Sequence, residues 1–315
     1  MPDLKILFMG ASRLVGLLQR FMEAAIVEKV NLGLYSLENN APWHAVGVSG
    51  LCQIVSGPRF DSESFSPFLL DFVFDKGISI VIPNIDTATI ALASMKSRLE
   101  SEGVFAVVSE LELCRKMFDK VEAEKFFHEN KLCTPTGADM PLLAKPRFGA
   151  SSRDHVLFNK TDEYRYWLRS NNLDGYLVQP FISGVEYSVD VYVSKTTIVQ
   201  GAVSRVRVAV SGGEVMVTRT EYNKRVDELI RQLLAMPGWQ GPLVIQVIDS
   251  GEKAYLIECN PRFGSGVTCS IEAGLDAPRW ILREALGRPL PEEELKWKSG
   301  LCMTRCRKDY FIWLY

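Results

Sequence analysis

The apolar residues of this chain follow two different rhythms. Over the first third, short continuous apolar runs alternate with stretches whose apolar positions recur at helical spacing. Leu4 to Met9 is the first run, ending at Gly10, and residues 14 to 26 (LVGLLQRFMEAAI) then read as a helix. Val30 to Tyr35 reads as a strand, Phe65 to Phe74 as a helix, Ile78 to Ile82 as a strand, Thr87 to Leu99 as a helix and Val104 to Val108 as a strand. Strands of this kind, alternating with helices, predict a Rossmann-like α/β domain: a parallel sheet with helices on both faces.

The rhythm then changes. Phe118 to Asn130 reads as one helix, with a break near Leu132-Cys133-Thr134-Pro135. Short β runs follow at Leu142 to Lys145, Tyr176 to Gln179, Tyr187 to Val193, Thr197 to Ala202, Val215 to Thr218, Leu243 to Ile248 and Ala254 to Cys259. Helices interrupt them near 162–170 and 223–235, and another follows at 277–286. That is an α+β pattern with antiparallel hairpins, and it sets a domain boundary near residue 113. No internal repeat or low-complexity tract is present.

Bulk properties narrow the field. A length of 315 residues suits about two domains. Lys plus Arg is 36 and Asp plus Glu is 38, for a net charge of −2. This balance gives no electrostatic case for a nucleic acid or an anionic membrane as partner. No apolar run approaches the ~18 residues that would span a bilayer. Met1-Pro2-Asp3-Leu4-Lys5 lacks the order of a signal peptide. The seven cysteines are odd in number and scattered, and none lies at zinc-knuckle spacing with the three histidines. The expectation is a reduced cytoplasmic protein without structural zinc.

Three segments carry candidate chemistry. In Ala144-Lys145-Pro146-Arg147-Phe148-Gly149-Ala150-Ser151-Ser152-Arg153, a strand delivers a lysine to a loop of small residues. Such loops let backbone N–H groups approach phosphate oxygens, and the lysine adds a point charge. Alone, the segment reads more readily as a surface turn. In Gln179-Pro180-Phe181-Ile182-Ser183-Gly184-Val185-Glu186, a strand edge and turn present backbone groups that could read a purine rim. Ile182 offers an N–H, Pro180 only a carbonyl, and Glu186 could accept ribose hydroxyls. A plain hairpin with a solvated glutamate is the competing reading.

The third segment, Ala254 to Gly264, is the most specific. Glu258 and Asn260 lie two apart on a strand and so leave the same face. A carboxylate and an amide oxygen on one face suit a hard divalent ion that also holds phosphates. Arg262 stands two further on, placed for a transferring phosphoryl group. If the preceding turn holds five residues, Asp249 to Lys253, Gln246 joins Glu258 on that face; a four-residue turn would put it on the other. Lys120, beginning a helix, could reach phosphates, and Arg205 and Arg207, before a Ser211-Gly212-Gly213-Glu214 loop, could grip an anion. Gly10-Ala11-Ser12-Arg13-Leu14-Val15-Gly16 departs from a dinucleotide fingerprint and reads better as a substrate turn.

Taken together, the order and spacing of these motifs resemble the ATP-grasp superfamily, in particular the large subunit of carbamoyl-phosphate synthase and its short single-module relatives. The resemblance draws also on Pro83-Asn84-Ile85-Asp86 and Asp119-Lys120, and runs over nearly the whole chain. It implies a pre-ATP-grasp domain over 1–113, an ATP-grasp module of two subdomains over 114–290 with a lid at about 140–180, and a C-terminal extension over 291–315. It implies ATP and two magnesium ions, with manganese as a substitute. Lys120, Lys145, Gly149, Ser151 and Ser152 would hold phosphates. Gln179, Phe181, Ile182 and Glu186 would hold adenosine, and Gln246, Glu258 and Asn260 the metal. Arg262, Arg205 and Lys145 would serve catalysis.

The implied activity is a ligase that phosphorylates a carboxylate to an acyl phosphate and transfers it to an amine, releasing ADP and phosphate. Phosphorylation of bicarbonate or carbamate is the close alternative. A non-catalytic ATP-binding regulator and an NAD(P) oxidoreductase using residues 1–100 are the rivals. The expected partners are small-molecule carboxylates and amines, with a homo-oligomer left open.

Overall fold

The computed structural model describes residues 1–39, 42–149, 154–306, 308–309 and 311. Its first part comprises β1 (Asp3–Met9), α1 (Val15–Glu28), β2 (Asn31–Glu38), β3 (Gln53–Ser56), α2 (Phe65–Lys76), β4 (Ile80–Pro83), α3 (Asp86–Ser101) and β5 (Phe105–Ala106). The five strands form one parallel sheet in the order β3-β2-β1-β4-β5. Ile6, Phe8, Ile80 and Ile82 point to one face, and Leu7, Met9 and Val81 to the other, all fully buried. That two-sided burial is why the strands read as continuous apolar runs rather than as alternation. Strand order reverses between β1 and β4, so a crevice opens at their C-terminal ends, beside Gly10 and Asn84. Gly10 takes φ +83, and a Cβ there would lie 3.3 Å from the side chain of Ile85.

The remainder is α4 (Leu111–Phe118), α5 (Lys120–Glu129), β6 (Leu142–Pro146), β7 (Val156–Phe158), α6 (Thr161–Leu168), β8 (Tyr176–Pro180), β9 (Val185–Val193), β10 (Val199–Ser211), β11 (Glu214–Thr220), α7 (Lys224–Leu234), β12 (Gly241–Asp249), β13 (Ala254–Asn260), α8 (Val267–Glu272), α9 (Ala277–Ala285) and β14 (Cys302–Thr304). The expected helix from Phe118 is two helices. Asp119 separates them, and its carboxylate accepts the backbone N–H of Val121 and of Glu122 as the cap of α5. The arginines 205 and 207 stand inside a long β10.

A small antiparallel sheet, β7-β6-β8, accompanies a larger one ordered β13-β12-β9-β10-β11-β14. On the large sheet, Tyr187, Val189, Val191, Leu243, Ile245, Val247, Leu256 and Cys259 pack under α4, α5 and α7. The alternate positions carry Glu186, Ser188, Asp190, Gln246, Glu258 and Asn260 on the opposite face. One face is therefore a core and the other a row of polar groups. Among the described residues no helix is long and apolar enough to cross a membrane.

The two parts share a core. Phe8 and Phe21 pack with Phe263, Val267, Trp280 and Ile281 in one cluster. A polar clamp sits at its edge, where Glu28, at the end of α1, is 5% exposed and meets Arg279, Arg283 (3.1 Å) and Arg288 (2.9 Å). Burial by itself would raise the Glu28 carboxyl, but hydrogen bonds from these guanidiniums outweigh it and bring it from 4.5 to about 2. A folded-state value below the unfolded one adds stability that is complete above the unfolded value and is lost as pH falls through the folded one. Glu28→Gln should cost roughly 2–3 kcal/mol at neutral pH and flatten the fall in stability between about pH 5 and pH 2. Urea unfolding across that range checks this, and an acid-side slope equal to that of the unsubstituted chain would refute it.

Candidate active site

The β12–β13 hairpin sets the geometry. Asp249 pairs with Ala254, so the turn holds four residues, not five, and that count alone would send Gln246 and Glu258 to opposite faces. A bulge at Ile257 shifts the register by one, and Gln246 lies directly opposite Glu258. Val244 pairs likewise with Asn260, so Gln246, Glu258 and Asn260 share the polar face. Asn260 donates from Nδ2 to Glu258 Oε1 at 3.0 Å. The expected juxtaposition is present, produced by a bulge rather than by the length of the turn.

Lys145, on the central strand of the small sheet, is 6% exposed. Among the described residues its ammonium makes no hydrogen bond or contact ion pair. Burial lowers its pKa, opposed at longer range by Glu258, Glu124 and Glu186 and reinforced by Lys120. Glu258 and Lys120 are thus each within electrostatic reach of Lys145. His155 joins them: burial, then Lys145 and Lys120, push its pKa down and favour the neutral imidazole. Half-buried Glu124, on α5, is pushed up by burial. Neither His155 nor Glu124 carries a motif, so the sequence offered no signal for them.

Lys120 reaches back to the loop that follows β6, donating from Nζ to the Gly149 carbonyl at 2.7 Å. Arg147 ties the same loop to the start of α5 through Asp119 at 2.8 Å. Gly149 takes φ +129, a conformation suited to glycine. Ser151 and Ser152 lie outside the described residues. Gln179 is 4% exposed and its Oε1 has no partner among the described residues. Phe181 is half exposed and its N–H donates to the Pro141 carbonyl at 2.8 Å, whereas Ile182 N–H has no partner among the described residues. Glu186 pairs with Arg207 at 2.9 Å. Gly184 lies where a Cβ would stand 2.3 Å from the Asp249 carbonyl, so the turn can pass β12 only without a side chain.

The arginines divide. Arg262 crosses to the first turn of α3, donating from Nε to Asp86 at 2.5 Å, and its Nη2 lies 3.4 Å from Asn260 Oδ1. Arg205 is 1% exposed, paired with Asp190 at 2.7 Å, while Ser270 donates to the same carboxylate at 2.6 Å. Its Nη1 has no partner among the described residues, and Gly266 leaves the space it occupies. Arg305, from the C-terminal segment, donates to the Ser265 carbonyl and lies 3.8 Å from Glu214, which also meets Arg13 at 3.3 Å. Burial lowers the Arg305 pKa, and nearby Arg205 adds to that. The turn after β1 is already occupied: Glu38 accepts the Ala11 N–H at 3.0 Å and the Ser36 hydroxyl at 2.6 Å.

A divalent metal fits the donor set on one condition. Among the described residues no group of three His, Cys, Asp or Glu could hold an ion alone. One carboxylate and two amide oxygens suit magnesium that takes its remaining ligands from phosphates and water. A cavity of about 1390 Å³ lies elsewhere, between β10, α7 and residues 287–297, and none of the buried charges above lines it.

Residues 172–308 match the sequence model of a family described as ATP-grasp in the biosynthetic pathway with Ter operon. No curated protein matches the chain. Among solved structures, it resembles the biotin carboxylase domain of 2-oxoglutarate carboxylase from Hydrogenobacter thermophilus, with MgADP, ADP and bicarbonate, at 15% identity and TM-score 0.69, over 92% of this chain and 71% of that one. It also resembles N5-carboxyaminoimidazole ribonucleotide synthetase from Thermus thermophilus, at 19% identity and TM-score 0.67, over 91% and 79%. L-amino acid ligase from Bacillus licheniformis matches at 17% identity and TM-score 0.65, over 91% and 74%. The fold class expected from the motifs is borne out.

A buried ammonium with no contacting counter-ion costs stability unless an anion joins it. Lys145→Met should leave the unfolding free energy of the ligand-free chain unchanged or higher, within about 1 kcal/mol, and weaken MgADP binding by at least about tenfold. Urea unfolding paired with titration calorimetry checks both. A chain destabilised by several kcal/mol with unaltered nucleotide affinity would make the lysine structural.

Proposed function

We propose that this chain, which has the ATP-grasp fold, is a ligase that uses ATP to phosphorylate a carboxylate and passes the activated acyl group to an amine or similar nucleophile, releasing ADP and phosphate. The observation that carries this reading is the buried Lys145 ammonium, uncompensated at contact range among the described residues and within reach of Glu258 and Lys120. Such a site favours a ligand with several negative charges next to a cation-binding carboxylate.

Each residue then has a part. Lys145 and Lys120 neutralise phosphate oxygens, and the bond from Lys120 to Gly149 couples the same lysine to the lid loop. The Oε1 of Gln179 and the N–H of Ile182, both without a partner among the described residues, can pair with the amino and ring-nitrogen edge of a purine. Glu186 can accept ribose hydroxyls. Gln246, Glu258 and Asn260 would hold magnesium, which when bound screens phosphate charge and polarises the phosphoryl oxygens. Arg262, steadied by Asp86, stands where charge builds on the transferring group. Exclusion of water by the lid preserves the acyl phosphate. Arg205, sealed against Asp190, supports the sheet face, and partly exposed Arg305 and Arg13 are better placed to meet an anionic acid.

A bicarbonate acceptor is the second reading, supported by the bicarbonate accompanying MgADP in the Hydrogenobacter structure. Phosphate release from Mg-ATP, measured across pools of carboxylic and amino acids with and without bicarbonate, tests both. Turnover should appear with one pool and fall by roughly 100-fold or more in Glu258→Gln, whose circular dichroism stays unchanged. Near-normal turnover in that variant would remove the metal assignment. ATP binding without turnover in any pool would favour a non-catalytic regulator.

A further inference from the structure

Outside this site, the joint between α1 and α9 carries more positive charge than it uses. Three guanidiniums, those of Arg279, Arg283 and Arg288, surround the single carboxylate of Glu28. The next carboxylate, Asp276, stands 4.0 Å from Arg279 Nη1, and burial raises its pKa. Even counting Asp276, one positive charge is left over.

The donors that remain converge. Arg279 and Arg283 are four residues apart on α9 and so lie on one face. Arg279 spends only Nε on Glu28. Arg283 spends Nε on the Pro289 carbonyl, at 2.8 Å, and Nη1 on Glu28. Both Nη groups of Arg279 and Nη2 of Arg283 therefore make no hydrogen bond among the described residues. These two arginines line a cavity of about 240 Å³, walled by Trp280, Pro289, Leu290 and Pro291. The prolines stiffen the wall facing the arginines, so little order must be gained on binding.

We propose that this cavity is a binding site for a small phosphate oxyanion, either free phosphate or the head of a phosphomonoester, seated on Arg279 and Arg283. Guanidinium forks match phosphate oxygens in pairs, and the cavity offers one free fork, Nη1 and Nη2 of Arg279, beside the single free Nη2 of Arg283. The ligand and Glu28 share the same guanidiniums, so occupancy loosens the clamp between the first domain and α9.

The test is calorimetric titration of the MgADP-saturated chain with inorganic phosphate, and separately with glycerol phosphate, at constant ionic strength. A saturable site is expected, weakened about tenfold or more in Arg279→Gln and in Arg283→Gln. Glu28→Gln, which removes the competing carboxylate, should tighten it. Stronger binding of glycerol phosphate identifies a phosphomonoester as the ligand, and stronger binding of inorganic phosphate identifies the free ion. Absence of saturable binding, or affinity that survives both arginine substitutions, overturns the proposal. Should the variants fold poorly, phosphate must protect Arg279 and Arg283 of the unaltered chain from phenylglyoxal, read by peptide mass. Equal modification with and without phosphate overturns the proposal as well.

Discussion

A lysine ammonium held out of water without a touching counter-ion among the described residues is the constraint around which the site is arranged. Lys145 is kept on the central strand of the small sheet, which pairs with β7 on one side and, at Lys145 itself, with Leu177 on the other. The carboxylates that offset it, Glu258, Glu124 and Glu186, come from three different elements and act at a distance. Charge of opposite sign is thus present within electrostatic reach but, among the described residues, not in contact.

Arg262 extends the constraint to the whole chain. Its bond to Asp86 joins the end of the bulged hairpin to the first turn of α3, at the crevice where strand order reverses in the first sheet. The shared apolar core of Phe8, Phe21, Phe263 and Trp280 fixes the same two parts from behind. A substrate at that crevice would meet an arginine whose position is set by both α3 and the hairpin. Asn84 lies at the same edge, 7% exposed, with neither atom of its amide paired among the described residues.

Much of this was legible in the sequence because the signals were local. Period-two alternation across Glu186, Ser188 and Asp190, and the two-residue step from Glu258 to Asn260, depend only on strand geometry. The facing of Gln246 was not fixed by local counting. Turn length and bulge each change the register by one, and their effects cancel, so a right juxtaposition followed from a wrong turn. The split at Asp119 was local and was missed all the same: its carboxylate caps α5 through the N–H groups of Val121 and Glu122, two and three residues on. His155, Glu124, Arg305 and the Glu28 clamp were invisible because each gains its meaning from partners brought close only by folding. Arg205 looked like a free cation in sequence and is instead sealed against Asp190, two strands' alternation having turned both side chains to the same face.

The most direct measurement is a crystal structure of the chain with MgADP. Phosphate oxygens are expected within hydrogen-bond distance of Lys145 and Lys120, with the metal on Glu258 and Asn260. A nucleotide bound anywhere that leaves the Lys145 ammonium still without an anionic partner would contradict the central role of that lysine.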